Sequence, residues 1–232
     1  MSITEKISIM LESLLYWFGI IRQAIREHKS ISTMVSISFS NSKMGKVASV
    51  SLLPLLSCPK RARSTCGRKC YALKLAMLRK TVRNAYAKNQ AIAKYAMKSY
   101  FKAVDETMKT VRFFRYHVSG DILNRKYFDF MVKSAISNPH CEILVFTKQY
   151  EIVNEWIDKN GSVPKNLHIL FSGWTNLKPI NPHNLPETMV YIKDEDINPD
   201  WNLCGGNCLD CAIKGCGCWN AENGETIAFK MH

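Results

Sequence analysis

Between His28 and Val104 the chain contains no aspartate or glutamate. Sixteen lysines and arginines fall there, from Lys29 to Lys102, while the rest of the chain carries sixteen basic and nineteen acidic residues. The whole net charge of +13 therefore arises from this one stretch. A field of that sign argues against a cationic partner and suits an anion: nucleic acid, a phosphate-bearing ligand or an anionic cluster. A solvated basic helix face is the plainer account of the same residues. Long apolar runs are also missing. The longest uncharged stretch near the N-terminus, Ser13 to Ile21, has nine residues. About 20 are needed to span a bilayer, so no transmembrane helix is expected. A basic n-region followed by a small-residue cleavage site is absent, which predicts a cytoplasmic protein. In a reducing compartment clustered cysteines bind metal or do chemistry rather than form disulfides, and a chain of 232 residues can fold on its apolar core without them. Internal repeats and low-complexity tracts are lacking.

What the sequence does have is nine cysteines in an uneven arrangement. Cys204, Cys208, Cys211, Cys216 and Cys218 form a terminal run, Cys58, Cys66 and Cys70 a second cluster, and Cys141 stands alone as a small buried residue. Such density points to metal. The terminal run offers more thiolates than one four-coordinate site needs. Cys204, Cys208 and Cys211 with either Cys216 or Cys218 would complete such a site. Gly205, Gly206, Gly215 and Gly217 let the backbone turn tightly and aim amides at sulfur. Four thiolates suit zinc or an iron–sulfur cluster alike. Cys58, Cys66 and Cys70 supply three ligands, which leave one iron of a cubane open to a small molecule, or close a zinc tetrahedron with one distant partner.

Residues 1–34 predict an N-terminal amphipathic helix, with Ser2 and Glu5 at capping-box spacing and Ile7, Leu14, Phe18, Ile21 and Ile25 at helical steps. It is expected to pack on the domain or to mediate oligomerisation. Val35–Ser40 alternates as a half-buried strand, residues 41–45 form a turn, and Val47–Leu56 is extended, with Pro54 arguing against a central strand. Residues 70–109 lack glycine and proline and are long enough for two helices. Strands over Val111–Val118, Glu142–Phe146, Leu167–Phe171 and Thr188–Ile192 then alternate with helices over Tyr127–Ile136 and Glu151–Asp158. This is an α/β pattern with a mainly parallel sheet, either open or a partial (β/α) barrel. The α/β domain is expected over 35–200, followed by a Cys-rich metal-binding segment over 201–232. Ligands of such sheets bind at the carboxyl ends of strands. Ser119, Gly120 and Asp121 lie at one such end and Lys148 and Lys193 at two others, so these five are the candidate cofactor- or substrate-binding residues. Asp121 is equally suited to capping the next helix. His117 reads as a core group, and the aromatic residues among the lysines of 60–102 suit either a base-stacking platform or core contacts.

The order Asn41-Ser-Lys43, Ser57-Cys58-Pro59, Cys66-Gly-Arg-Lys-Cys70-Tyr71-Ala72, Arg115-Tyr-His-Val-Ser119-Gly120-Asp121, Phe146-Thr147-Lys148 and the closing Cys218-Trp219 resembles the phage gene product 88 family. The likeness covers residues 35–232, implies a protein encoded by a phage or a bacterial host, and through the closing Cys-Trp favours Cys204, Cys208, Cys211 and Cys218 as the ligand set, with Cys216 spare or alternative. A more distant similarity is to radical S-adenosylmethionine enzymes, in which a three-cysteine loop after the first strand holds a [4Fe-4S] cluster. With two cysteine sites in an α/β frame, this likeness favours two [4Fe-4S] clusters, with zinc as the alternative, and it implies S-adenosylmethionine as a possible cofactor, with Ser119-Gly120-Asp121 where that superfamily holds the cofactor's amino group. The spacing of Cys58, Cys66 and Cys70 departs from the C-x3-C-x2-C of that superfamily. Three functions follow as expectations: a redox or radical enzyme with clusters at both cysteine groups, a nucleic-acid-binding protein braced by its clusters, or a zinc-stabilised interaction module.

Overall fold

The computed structural model describes residues 3–41 and 44–231. Ser2 of the expected capping box, and Ser42 and Lys43 of the expected turn, lie outside the described residues. The first half of the chain runs α1 (Ile3–Arg26), β1 (Ile37–Ser38), β2 (Ala48–Val50), α2 (Lys60–Ser64), α3 (Tyr71–Leu78), α4 (Lys80–Tyr95) and α5 (Met97–Met108). The second half runs β3 (Phe113–Tyr116), α6 (Arg125–Ser137), β4 (Glu142–Thr147), α7 (Tyr150–Asn160), β5 (Leu167–Ser172), β6 (Glu187–Tyr191), β7 (Asn202–Leu203), α8 (Cys208–Lys214) and β8 (Thr226–Lys230).

The strands form one open sheet in the order β1-β2-β3-β4-β5-β6-β8-β7. Every pairing is parallel except the antiparallel edge pair β1–β2. Consecutive parallel neighbours demand crossovers of one hand, which place α5, α6 and α7 on a single face. The side chains bear this out. Alternation along β3 sends Phe114 and Tyr116 into a core shared with Tyr100, Phe101, Tyr127, Phe128 and Met131 of α5 and α6. Phe113, on the opposite face, joins a second core made by Leu144, Leu170, Ile227, Ala212 and Trp219. The C-terminal segment thus covers the face that the crossover helices leave bare, and supplies β7 and β8 to the sheet edge.

Three elements differ from expectation. The alternating run Val35–Ser40 forms only a two-residue strand, and its outermost apolar residue, Phe39, is 58% exposed. Residues 48–50 are a fully buried inner strand, because Pro54 falls beyond the hydrogen-bonded stretch and costs the ladder nothing. Residues 71–108 form three helices rather than two. The chain breaks at Arg79, where the backbone is extended, and at Ala96, where it leaves the helical region at φ −138° and ψ 54°, in both cases without glycine or proline. Helix α1 packs Tyr16, Trp17, Ile20 and Ala24 onto the core, with the Tyr16 hydroxyl donating to Asn84 Oδ1 at 2.9 Å. Its outer stripe, Leu11, Leu15, Phe18 and Ile25, is exposed. Among the described residues no helix is long and apolar enough to cross a membrane.

Candidate functional site

The terminal cysteines occupy a tight turn that is pinned at both ends. Asn207 caps α8, its Oδ1 accepting from the amides of Leu209 and Asp210 at 3.0 and 3.3 Å. After α8 the chain reverses through Gly215 and Gly217, both left-handed at φ 60° and 58°. An added Cβ at position 217 would meet Cys211 Sγ at an ordinary contact distance of 3.5 Å, so it is the positive φ that calls for glycine there. Trp219 then inserts into the sheet face. Its ring lies edge-on to Phe113 at 5.4 Å and its indole N–H donates to the Cys208 carbonyl at 3.0 Å. The result is one small cavity of about 40 Å³ lined by Cys204, Cys208, Cys211 and Cys218. Phe146, Phe229, Trp219 and Leu144 supply its apolar wall. Cys216 is exposed and stands outside, beside Cys211.

This donor set fits a metal centre chemically. Four sulfurs face one space, the Gly206 amide donates to Cys204 Sγ at 3.4 Å, and Arg115 Nη1 lies 3.6 Å from Cys208 Sγ. Burial pushes the Cys218 thiol well up, and its thiol neighbours push it the same way while Arg115 opposes them. Burial, a hydrogen bond with Cys216 and the neighbouring thiols raise Cys211 to about 11. Thiols that hinder one another's ionisation are the kind a bound cation neutralises. As the side chains stand, no three His, Cys, Asp or Glu groups among the described residues are drawn into an ion-gripping arrangement.

Cys58, Cys66 and Cys70 flank α2 and a short 3₁₀ turn, Cys66–Lys69, at the carboxyl edge of the sheet. Burial raises Cys58 to about 12, with Asp121, Cys66 and Cys70 close enough to add to the shift. Asp121 is buried where β3 ends. Its Oδ1 accepts from Thr147 Oγ1 at 2.6 Å and from the Ile122 amide at 2.8 Å, and its Oδ2 from the Lys148 amide at 2.9 Å. Asp121 therefore staples the end of β3 to the end of β4, while Asn124 caps α6. Burial raises its pKa against these hydrogen bonds. Gly120 adopts φ 90°, and an added Cβ would sit 2.8 Å from Leu52 Cβ, so only glycine lets this strand end lie against the loop leading to Cys58. Ser57 Oγ closes the junction by accepting from the Asp121 amide at 3.2 Å.

Lys148 is buried and its ammonium donates to Ser172 Oγ at 2.6 Å, at the end of β5. Ser119 is buried with its hydroxyl unpartnered. Ser119, Gly120, Asp121 and Lys148 thus gather beside the first cysteine group. Lys193 does not join them. It is exposed and pairs with Glu195 at 2.8 Å. His117 is buried at φ 55°, with Nε2 3.0 Å from the Tyr127 hydroxyl and Nδ1 unpartnered. Sequence reasoning does not single out Arg115 as a site residue. Its signal was a cation flanked directly by aromatic residues inside a strand, Phe114 before it and Tyr116 after it, on the face that also carries Phe113. The exposed bases Lys74, Lys80, Arg83, Lys94, Lys98 and Lys102 cover α3 to α5 as a solvated basic surface.

A family model described as gene product 88 matches residues 21–225. No curated protein and no solved structure matches the chain, and nothing in these comparisons links it to radical S-adenosylmethionine enzymes.

Proposed function

The chain belongs to the gene product 88 family, and we propose that it is an iron–sulfur protein acting as a redox enzyme at the carboxyl edge of its sheet. The observation that carries this reading is the single cavity shared by Cys204, Cys208, Cys211 and Cys218. When bound there, a [4Fe-4S] cluster with four protein ligands would supply electron storage and transfer. The chain's own residues do the rest. Trp219, Phe146 and Phe229 wall the inner side of the sulfurs, and the Gly206 amide and Arg115 stabilise negative charge on them. Cys58, Cys66 and Cys70 hold a second site with one open position, beside Asp121 and Lys148, where a small substrate or S-adenosylmethionine would be met. Asp121 fixes the two strand ends that frame that position.

Iron and acid-labile sulfide analysis of anaerobically purified protein, with its visible absorption, tests the reading. Iron and sulfide in equal amounts are expected. Cys218→Ser should lose the C-terminal share of both and Cys216→Ser should keep it. Zinc without sulfide would sink the redox reading and leave a structural metal site. Reductive cleavage of S-adenosylmethionine by the reduced protein would establish the radical form of the activity, and intact clusters without cleavage would dismiss that form alone.

A second reading has its own observation. Among the described residues, the ion pairs of the acid-free stretch are Lys29–Glu27 and Arg61–Glu151, so the bases on α3 to α5 face solvent uncompensated. That surface supports phosphate-backbone contacts. Binding to DNA or RNA whose affinity falls steeply with salt, and survives loss of the clusters, would favour it.

A further inference from the structure

The face of the sheet opposite the crossover helices is divided in two. The C-terminal segment covers it beneath β4, β5 and β8. Beneath β1, β2 and β3 lies an open cleft of about 600 Å³, closed on its far side by α3 and α4. Arg115 stands on the boundary and lines both this cleft and the four-cysteine cavity. We infer that the cleft binds a small organic anion with a flat apolar body, and that Arg115 holds its charged group against the four-cysteine cavity.

The volume falls within the range of small-molecule sites, about 300–1,000 Å³. Charge sets the sign of the ligand. Arg79 and Arg115 line the cleft from opposite walls, and among the described residues no aspartate or glutamate lines it. Arg115 is short of partners. Its Nε is buried with no hydrogen bond, its Nη1 meets only sulfur, Met44 Sδ at 3.5 Å and Cys208 Sγ at 3.6 Å, and its guanidinium lies over Phe146 at 4.6 Å. Among the described residues no carboxylate pairs with it. A guanidinium has five donors, and sulfur is a weak acceptor. A half-buried cation so placed is completed by a carboxylate, sulfonate or phosphate, which takes two of its N–H groups at once.

The walls set the body of the ligand. Tyr71 has its hydroxyl tied to the Val118 carbonyl at 2.6 Å while its ring is 51% exposed. A ring held by its polar tip is a fixed stacking surface. Ile37, Leu75 and Val82 add apolar wall, and Ser49, level with Arg115 in the strand register, offers a hydroxyl beside the guanidinium. This inference rests on the cleft and does not depend on which metal the cysteines hold.

Calorimetric titration of the full-length protein with 2-naphthoate and with its neutral isostere 2-naphthamide tests it. Naphthoate is expected to bind, and naphthamide to bind about tenfold more weakly or worse, because a charged hydrogen-bonded pair is lost. Arg115→Gln and Arg79→Gln should each weaken naphthoate, the first more, and Val82→Trp should block it by filling the cleft. Arg79 is exposed, so its variant reports on the cleft even where Val82→Trp fails to fold. Leu15→Glu, on the outer stripe of α1, should change nothing. Equal binding of acid and amide, no binding of naphthoate at millimolar concentration, or full affinity in both arginine variants would overturn the inference and leave Arg115 as a partner of the cysteine cavity alone.

Discussion

Asp121 is buried and accepts three hydrogen bonds, two at Oδ1 and one at Oδ2. Those bonds decide what an isosteric change does. In Asp121→Asn the amide oxygen can keep Thr147 and Ile122, but its nitrogen then faces the Lys148 N–H, donor against donor. The variant should lose about 1–3 kcal/mol in denaturant titration despite shedding a buried charge, the cost of an unsatisfied buried donor. His117 gives a pH-dependent counterpart. Burial lowers its pKa to about 3 in the folded chain, against about 6.5 when unfolded. The unfolded state therefore binds more protons in between, and stability rises with pH across that window. The contribution is full above about 6.5 and is lost as the pH falls from there towards 3. His117→Asn, whose side chain tolerates the positive φ, should show a shallower acid loss than the wild type in denaturation curves at pH 7, 5.5 and 4.5. At this scale the sequence was partly legible. Asp121 and Lys148 stood out because each follows a strand, and a strand end is visible as a change of pattern. Lys193 follows a strand in the same way yet turns to Glu195 in solvent, since position along the chain does not say which way a side chain leans. Arg115 was illegible because its meaning lies in a missing partner, and missing partners appear only in three dimensions.

The elements after Val111 follow the written pattern to within about two residues at their ends, because each strand is an apolar run closed by polar residues and each helix repeats at three and four. The elements at either edge of the sheet did not. β7 has two residues, too few for any period to register, and β8 follows a cysteine run that carries no alternation of its own. Yet β8 is what brings the terminal cysteines to the sheet, because its pairing with β6 places Ile227 and Phe229 against the core beside α8. Trp219 is the second attachment. It is 5% exposed and joins Phe113 and the Cys208 carbonyl. Trp219→Ala should cost about 3–5 kcal/mol through the cavity it leaves. The loss should be local as well as global. Hydrogen exchange should quicken in α8 and β7 more than in β4 and β5, and the alkylation rate of Cys208 and Cys218 should rise, since the cavity wall they share is opened. Uniform loss of protection across the sheet would mean instead that the C-terminal segment and the sheet unfold as one unit.

Across the whole molecule, the excess charge is concentrated in one stretch of the chain. The acid-free stretch supplies β1, β2 and α2 to α4, so its like charges are held within one side of the fold and face solvent with two ion pairs among the described residues. Folding gathers these charges closer than the unfolded chain holds them, and the resulting repulsion is a cost carried by the native state. Salt should relieve it. The Debye length shrinks from about 30 Å at 0.01 M to about 10 Å at 0.1 M, which is enough to separate neighbouring helices electrically. The melting temperature should therefore rise over that range, by about 2–4 °C for each 1 kcal/mol of repulsion removed. Two anions separate general screening from a bound ligand. Chloride and an organic monoanion compared at equal ionic strength should give the same rise if only screening acts. An extra rise with 2-naphthoate that saturates, and that disappears in Arg115→Gln, would assign that increment to the cleft. A melting temperature that falls with chloride would show that attractive pairs elsewhere outweigh the basic stretch, and would remove the electrostatic argument for an anionic partner.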